Sequence, residues 1–215
     1  LVRPGGTLAF STPHGAGATI RAQSATVAGG LNAYRLGFST VSGPGYGGGN
    51  NGAAHGGRDS QDSGSVYGRM FRPTALGSGG TQTPGGGAVR LDIAGALVLD
   101  GSIDASGGDS SRRTGSGGSV WITAGSFGGA GTIRADGGAG TAGYCGGGGR
   151  IAIGAVNNTF TNAITVDQGD ATAEYGTLFL CTSVDREATI EAAAGRPAVS
   201  TVLSVSRHDD GVRLD

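Results

Sequence analysis

The sequence predicts an all-β protein, a parallel β-solenoid or β-helix-like stack with glycine-rich loops. Three observations carry this: apolar alternation with a period of two, a recurrence of that alternation every 31 residues, and glycine at 47 of 215 positions, roughly three times the usual share of about 7%. A glycine-rich β-sandwich with the same strands paired antiparallel is the alternative architecture.

The recurrence is clearest where GGAVRLDI from Gly86, GGSVWIT from Gly117 and GGRIAIG from Gly148 align without gaps. Val89, Val120 and Ile151 stand 31 apart and 31 apart again. Each opens an alternating stretch, Val89-Leu91-Ile93, Val120-Ile122-Ala124 and Ile151-Ile153-Ala155, as expected of a strand with one buried face. A second short strand follows 13 or 14 residues later, anchored on Ile103, Ile133 and Ile164. These ten Val, Leu and Ile positions are the expected repeat core.

Fainter copies extend toward both ends. TLAF from Thr7 followed by ATIRA resembles TLFL from Thr177 followed by ATIEA, which predicts a degenerate unit at each terminus. The alternation of Val199, Thr201, Leu203 and Val205 reads as a final strand. One elongated β domain over 1–215 is therefore expected: N-terminal strands or cap over 1–41, a glycine-rich loop region over 42–85, the 31-residue repeats over 86–181 and C-terminal strands or cap over 182–215. Helices are not expected, because the alanine run at 191–195 amounts to about one turn.

The excursions between units, such as GGDSSRRTGSGG, hold too little apolar side chain to pack alone. Their regular lengths favour ordered loops in which glycine permits positive φ and close backbone contact. The longer segment from Ser42 to Gly80 lacks alternation, yet Tyr46, Tyr67, Met70, Phe71 and Leu76 would dock it as a lid over one face.

Charged residues are 14% of the chain and the net charge is −1, so the electrostatic footprint of a nucleic-acid binder is missing. All 15 basic residues are arginine, which excludes Schiff-base and P-loop lysine chemistry. No apolar run approaches the roughly 18 residues of a membrane span. Because the chain starts at Leu1 without a Met or leader, it reads as a processed protein or a piece of a longer one.

Searches for chemistry return little. His14, His55 and His208 fall in separate loops without ligand spacing and are expected at the surface. G-x-G-x-x-G occurs at Gly43–Gly48 and Gly138–Gly143 but opens no helix, as a dinucleotide site requires. Asp100, Asp104, Asp109, Asp136, Asp167 and Asp170 recur near the second strands, where loop carboxylates could bind calcium or, in pairs, act on glycans; solvated turn carboxylates are the simpler expectation. Trp121 and Tyr144 could stack on sugars, although Trp121 reads first as a bulky residue flanking its strand. Cys145 and Cys181 could form one disulfide outside the cell or stay as thiols.

From Ser65 to Leu180 the order SVYGRMFRPTALGSGG, GGGAVRLDIAGALVLDGSIDASGG, GSGGSVWITAGSFGGAGTIRADGG, GGGGRIAIGAVNNTFTNAITV and YGTLFL resembles a glycine-rich repeat of very large secreted, adhesin-like bacterial surface proteins. The sequence departs from that pattern at Cys145 and at Pro84, both in loops. The resemblance implies an extracellular or cell-surface location and no assigned reaction.

The expected function is thus structural and non-enzymatic. The chain would be a subunit of a surface filament, stalk or matrix that self-associates by strand-edge or end-to-end stacking, with Leu8, Phe10, Val199, Leu203 and Val205 on the assembly strands. The alternative is an adhesin or polysaccharide-binding module that recognises a cell-surface glycan. No catalytic residue, resident metal or cofactor is assigned.

Overall fold

The protein is described here by a computed structural model covering residues 1–10, 17–49, 51–140 and 143–182, with the backbone of 207–208 and 211–212. It is all-β, and the described residues contain no helix. Eleven strands build two parallel sheets. They are β1 (Thr7–Ala9), β2 (Ala18–Ala22), β3 (Ala25–Val27), β4 (Gly30–Asn32), β5 (Ala88–Leu99), β6 (Ser102–Asp104), β7 (Ser119–Gly128), β8 (Thr132–Arg134), β9 (Arg150–Asn158), β10 (Ile164–Thr165) and β11 (Thr177–Cys181). A separate antiparallel pair joins β12 (Arg207–His208) to β13 (Gly211–Val212).

The long strands form one sheet in the order β11-β9-β7-β5-β2, with β3 alongside the second half of β5; the short strands form the other in the order β1-β4-β6-β8-β10. Every pairing in these two sheets is parallel. The antiparallel sandwich is therefore not the fold.

The repeat spacing becomes register. Val89 lies opposite Val120, which lies opposite Ile151; Ile103 lies opposite Ile133, which lies opposite Ile164. Ladders of like residues result, and Val89, Leu91, Ile93, Val120, Ile122, Ile151 and Ile153 face Ile103 and Ile133 across one core, all at most 2% exposed. Ile164, at the edge of its sheet, is half-buried. Phe127 and Phe160 close one side of the core with rings stacked at 4.7 Å.

A bulge explains the 13-or-14 spacing. The β5–β7 register shifts between Ile93 and Ala96, where β5 carries one residue more than β7. That extra residue bends the strand locally and accounts for the longer interval from Val89 to Ile103.

The N-terminal unit differs from the sequence expectation. β1 pairs with β4 in the short-strand sheet, whereas β11 pairs with β9 in the long-strand sheet, so TLAF and TLFL are not equivalent. It is β2 that lies in register with β5, Ala18 opposite Val89, while Leu31 of β4 lies opposite Ile103. Ala18 to Leu31 repeats the 13-residue interval. The long segment between β4 and β5 hides this periodicity in the sequence.

The glycine-rich excursions form a third ordered layer. In a strand, successive N–H groups point alternately to two sides; here three successive groups point to three different segments. Ser116 N donates to Ser78 O (2.9 Å), Gly117 N to Gly147 O (3.0 Å) and Gly118 N to Ala105 O (2.8 Å). Gly147, Gly148 and Gly149 repeat the habit toward Ala53, Glu174 and Ala135, and Gly85, Gly86 and Gly87 toward Phe38, Ser116 and Ala33. A period of three is that of a polyproline-II helix. Such helices can be bonded on all sides only if no Cβ intervenes. A Cβ on Gly86 would sit 1.8 Å from Ala105 O, and one on Gly149 would sit 2.2 Å from Gly118 O. Close approach, rather than positive φ, is what these positions require.

The lid expected from residues 42–80 is present and packed. Met70 and Leu76 are 3% exposed, with Met70 against Ala152 and Phe179 on the outer face of the long-strand sheet. Tyr67 donates its hydroxyl proton toward Leu76 O (2.5 Å). Among the described residues no helix is long and apolar enough to cross a membrane.

Candidate functional site

Parallel register places like-numbered positions of neighbouring units in rows on the outer face of the long-strand sheet. One row runs Thr19, Arg90, Trp121, Ala152, Phe179, and the next runs Arg21, Asp92, Thr123, Gly154, Cys181. Met70 and Phe71 cover the Ala152–Phe179 end of the first row. The other end remains a groove of about 870 Å³, lined chiefly by Arg21, Arg72, Arg90, Asp92, Trp121 and Thr123.

The groove is built as a stacked and charged surface. The Arg90 guanidinium lies 3.8 Å from the centroid of the Trp121 ring, a cation–π arrangement. Asp92 takes Thr123 Oγ1 as a donor at 3.0 Å and meets Arg21 Nε and Arg90 Nη2 at 3.4 Å each. These ion pairs are long and solvent-screened, so each contributes little to stability. Arg90 Nε is buried without a hydrogen-bond partner among the described residues. Trp121 thus flanks its strand as expected, but it also forms part of the groove. Tyr46, Tyr67 and Tyr144 do not line it.

The recurring aspartates occupy the outer face of the short-strand sheet. Asp104, Asp109, Asp136 and Asp167 meet Tyr34 and Arg134 around a depression of about 290 Å³. Asp109 and Asp136, and Asp100 outside the depression, each spend an oxygen on the backbone of the next unit, whereas Asp104 Oδ1 accepts from Ser106 N of its own unit (2.9 Å). Asp136 Oδ1 accepts from Asp167 N (2.8 Å), Asp109 Oδ1 from Ala139 N (2.8 Å) and Asp100 Oδ1 from Ala130 N (3.2 Å). Asp136 Oδ2 also takes Arg134 Nε (2.8 Å) and Thr165 Oγ1 (3.0 Å). Burial, and then the Asp136 charge, push the Asp167 carboxyl upward. The Asp100, Asp109 and Asp136 carboxylates act as unit-to-unit ties. Among the described residues no three His, Cys, Asp or Glu side chains converge to hold a metal ion.

Asp170 lies elsewhere, with Cys145. Burial alone would raise its carboxyl, but bonds from Thr172, the Cys145 thiol and Ser60 outweigh that and hold it low. Burial and the same carboxylate push the Cys145 thiol up to about 12. The considered disulfide does not form, and both cysteines are thiols. Cys145 precedes β9 while Cys181 ends the adjacent β11. About nine residues of extended chain separate their levels, roughly 30 Å, whereas a disulfide needs Cα atoms within about 7 Å. Alkylation of the native protein is accordingly expected to spare Cys145 and mark only Cys181. Denaturant should expose the second site, as peptide mass mapping would show.

His55 corrects the expectation of surface histidines: it is fully buried. Its Nδ1 lies 2.7 Å from Gly117 O and so carries the proton, while Nε2 is buried without a partner. The Tyr67 ring sits 4.6 Å away. Arg150 bonds Tyr67 O (2.8 Å) and Thr177 Oγ1 (3.1 Å) and approaches His55 O (3.5 Å). Burial, reinforced by the Arg150 charge, lowers the His55 pKa to about 4. Nothing in its local sequence marks this residue, because its surroundings come from three separated segments, around Tyr67, Gly117 and Arg150. His14 lies outside the described residues, and for His208 only the backbone is described.

Of the expected assembly residues, Leu8 is 45% exposed on β1, at the edge of its sheet. Phe10 is instead buried at 5% and bonds Asn32 O through its backbone N–H (2.8 Å), so it belongs to the core. Val199, Leu203 and Val205 lie outside the described residues. Comparisons with known protein families, curated proteins and solved structures find no match.

Proposed function

We propose that the chain is a β-solenoid with an extracellular structural role, a section of a bacterial surface filament, stalk or matrix, and that it is not an enzyme. The observation that carries this reading is that, among the described residues, no strand pairs beyond β1 and β2 on one side or beyond β10 and β11 on the other. All are parallel, and β1 is exposed along its whole length. Unpaired parallel edges of matching direction accept another copy by the bonding that joins the units internally.

Light scattering after size exclusion, over a concentration series with and without calcium, tests this together with negative-stain microscopy. Elongated oligomers that grow with concentration are expected. Leu8→Lys should shorten them without unfolding the chain, because the side chain is exposed and lysine blunts an edge. A chain that stays monomeric at every concentration would sink the filament reading.

A second reading, a module that binds cell-surface polysaccharide, is favoured by one observation. An aromatic ring and several hydrogen-bonding side chains line a single groove on a regular sheet face.

A further inference from the structure

The groove on the long-strand sheet points to a more specific ligand. We infer that it binds an acidic polysaccharide, a chain of sugar rings bearing carboxylate or sulfate groups; this rests on the polysaccharide-binding reading above. The argument begins with charge. Among the described residues that line it, Arg21, Arg72 and Arg90 stand with one acid, Asp92, in a chain whose net charge is −1. Positive charge is therefore concentrated where the molecule as a whole supplies none, and such a patch raises the local concentration of anions.

Geometry adds selectivity. Arg21 and Arg90 project from neighbouring strands, β2 and β5, which run about 4.8 Å apart. Arg90 is held 3.8 Å over the centre of the Trp121 ring, which restrains its planar fork of donors and lowers the ordering cost of binding an anion. Guanidinium and carboxylate or sulfate match as two parallel hydrogen bonds. Asp92, pinned by Thr123, supplies the acceptor that a sugar hydroxyl needs. A groove on a sheet face with cations, a ring and one fixed acceptor fits a polymer whose units alternate hydroxyls with anionic groups.

Trp121 is the only tryptophan in the chain, so its fluorescence reports on this groove directly. Titration with polygalacturonate, dextran sulfate, neutral dextran and a thymidine oligonucleotide separates the ligand classes. A change in tryptophan emission with polygalacturonate, dextran sulfate or both is expected, weakening as salt brings the screening length toward about 8 Å. Which of them binds identifies carboxylate or sulfate. Arg21→Ala, at a solvent-exposed side chain, should weaken binding about threefold and Arg90→Gln about tenfold, the fold remaining intact by circular dichroism.

Binding of neutral dextran alone would overturn the inference while leaving the polysaccharide reading standing. Equal binding of the oligonucleotide would also overturn it, in favour of a general polyanion surface. No response to any probe would overturn both readings. Binding by the two arginine variants that matches the parent chain would overturn the inference alone and leave the polysaccharide reading standing.

Discussion

Gly118→Ala is expected to leave the chain unable to reach its native state. The added methyl would lie 1.9 Å from Gly87 O and 2.6 Å from Gly86 C and O. All three are backbone atoms fixed by bonds on other sides: Gly86 N bonds Ser116 O, and Gly87 N bonds Ala33 O. No rotamer change can relieve a clash between two main chains. The cost should exceed about 4 kcal/mol, a large share of a domain's total stability. Gly30→Ala is the control. There the atoms nearest a Cβ would be side-chain atoms of Thr7 and Ser102 at 3.5 Å or more, and its φ is not positive. Stability should change by about 1 kcal/mol or less. Urea denaturation followed by circular dichroism distinguishes the two, and a cooperative, near-parental transition for Gly118→Ala would refute the interlocked glycine layer.

Acidification is expected to destabilise the protein well before its carboxylates are neutralised. His55 titrates near 6.5 in the unfolded chain and at about 4 in the folded one. A folded pKa lowered below the unfolded value means that the unfolded chain takes up the proton first. The stability tied to neutral His55 is then complete above pH 6.5 and lost progressively as the pH falls through 4. The difference corresponds to about 3 kcal/mol. Its cause is local: a proton on Nε2 would have no acceptor, and the charge would face the Arg150 guanidinium.

Asp167, whose carboxyl is raised, acts with the opposite sign, and Asp170, held low, loses its contribution only below the normal carboxylate range. The interval from 6.5 to 4 is therefore dominated by His55. His55→Asn, whose amide can replace the Nδ1–H bond to Gly117 O, should show a denaturation midpoint nearly level across that interval while the parent's falls. Parallel pH profiles for the two proteins would refute this account.

Much of the architecture was legible in the sequence, for a simple physical reason. In a parallel stack each unit faces a copy of itself, so spacing along the chain becomes register in space. Val89, Val120 and Ile151 show this directly. The docking of the 42–80 segment was also legible, from Met70 and Leu76 standing out in a polar, glycine-rich stretch.

The reading failed where a long segment interrupts the repeat. Ala18 belongs with Val89, yet the intervening chain carries its own internal contacts and no spacing rule links the two. The same segment buries His55, whose partners come from residues far apart in sequence. The candidate groove was half visible, since Trp121 stood out as the sole tryptophan. Its arginines did not, because Arg21, Arg72 and Arg90 fall in three unrelated local patterns.

By itself the sequence determined the parallel β class, the ladders of the core and the need for glycine between units, since period and composition are local properties that stacking only repeats. Tertiary structure alone decided which strand joins which sheet at the N-terminal end. It also decided that the glycine segments bond on three sides, and that Arg21, Arg90 and Trp121 share one groove. Those outcomes depend on register and on close approach between segments distant along the chain, which no local pattern encodes.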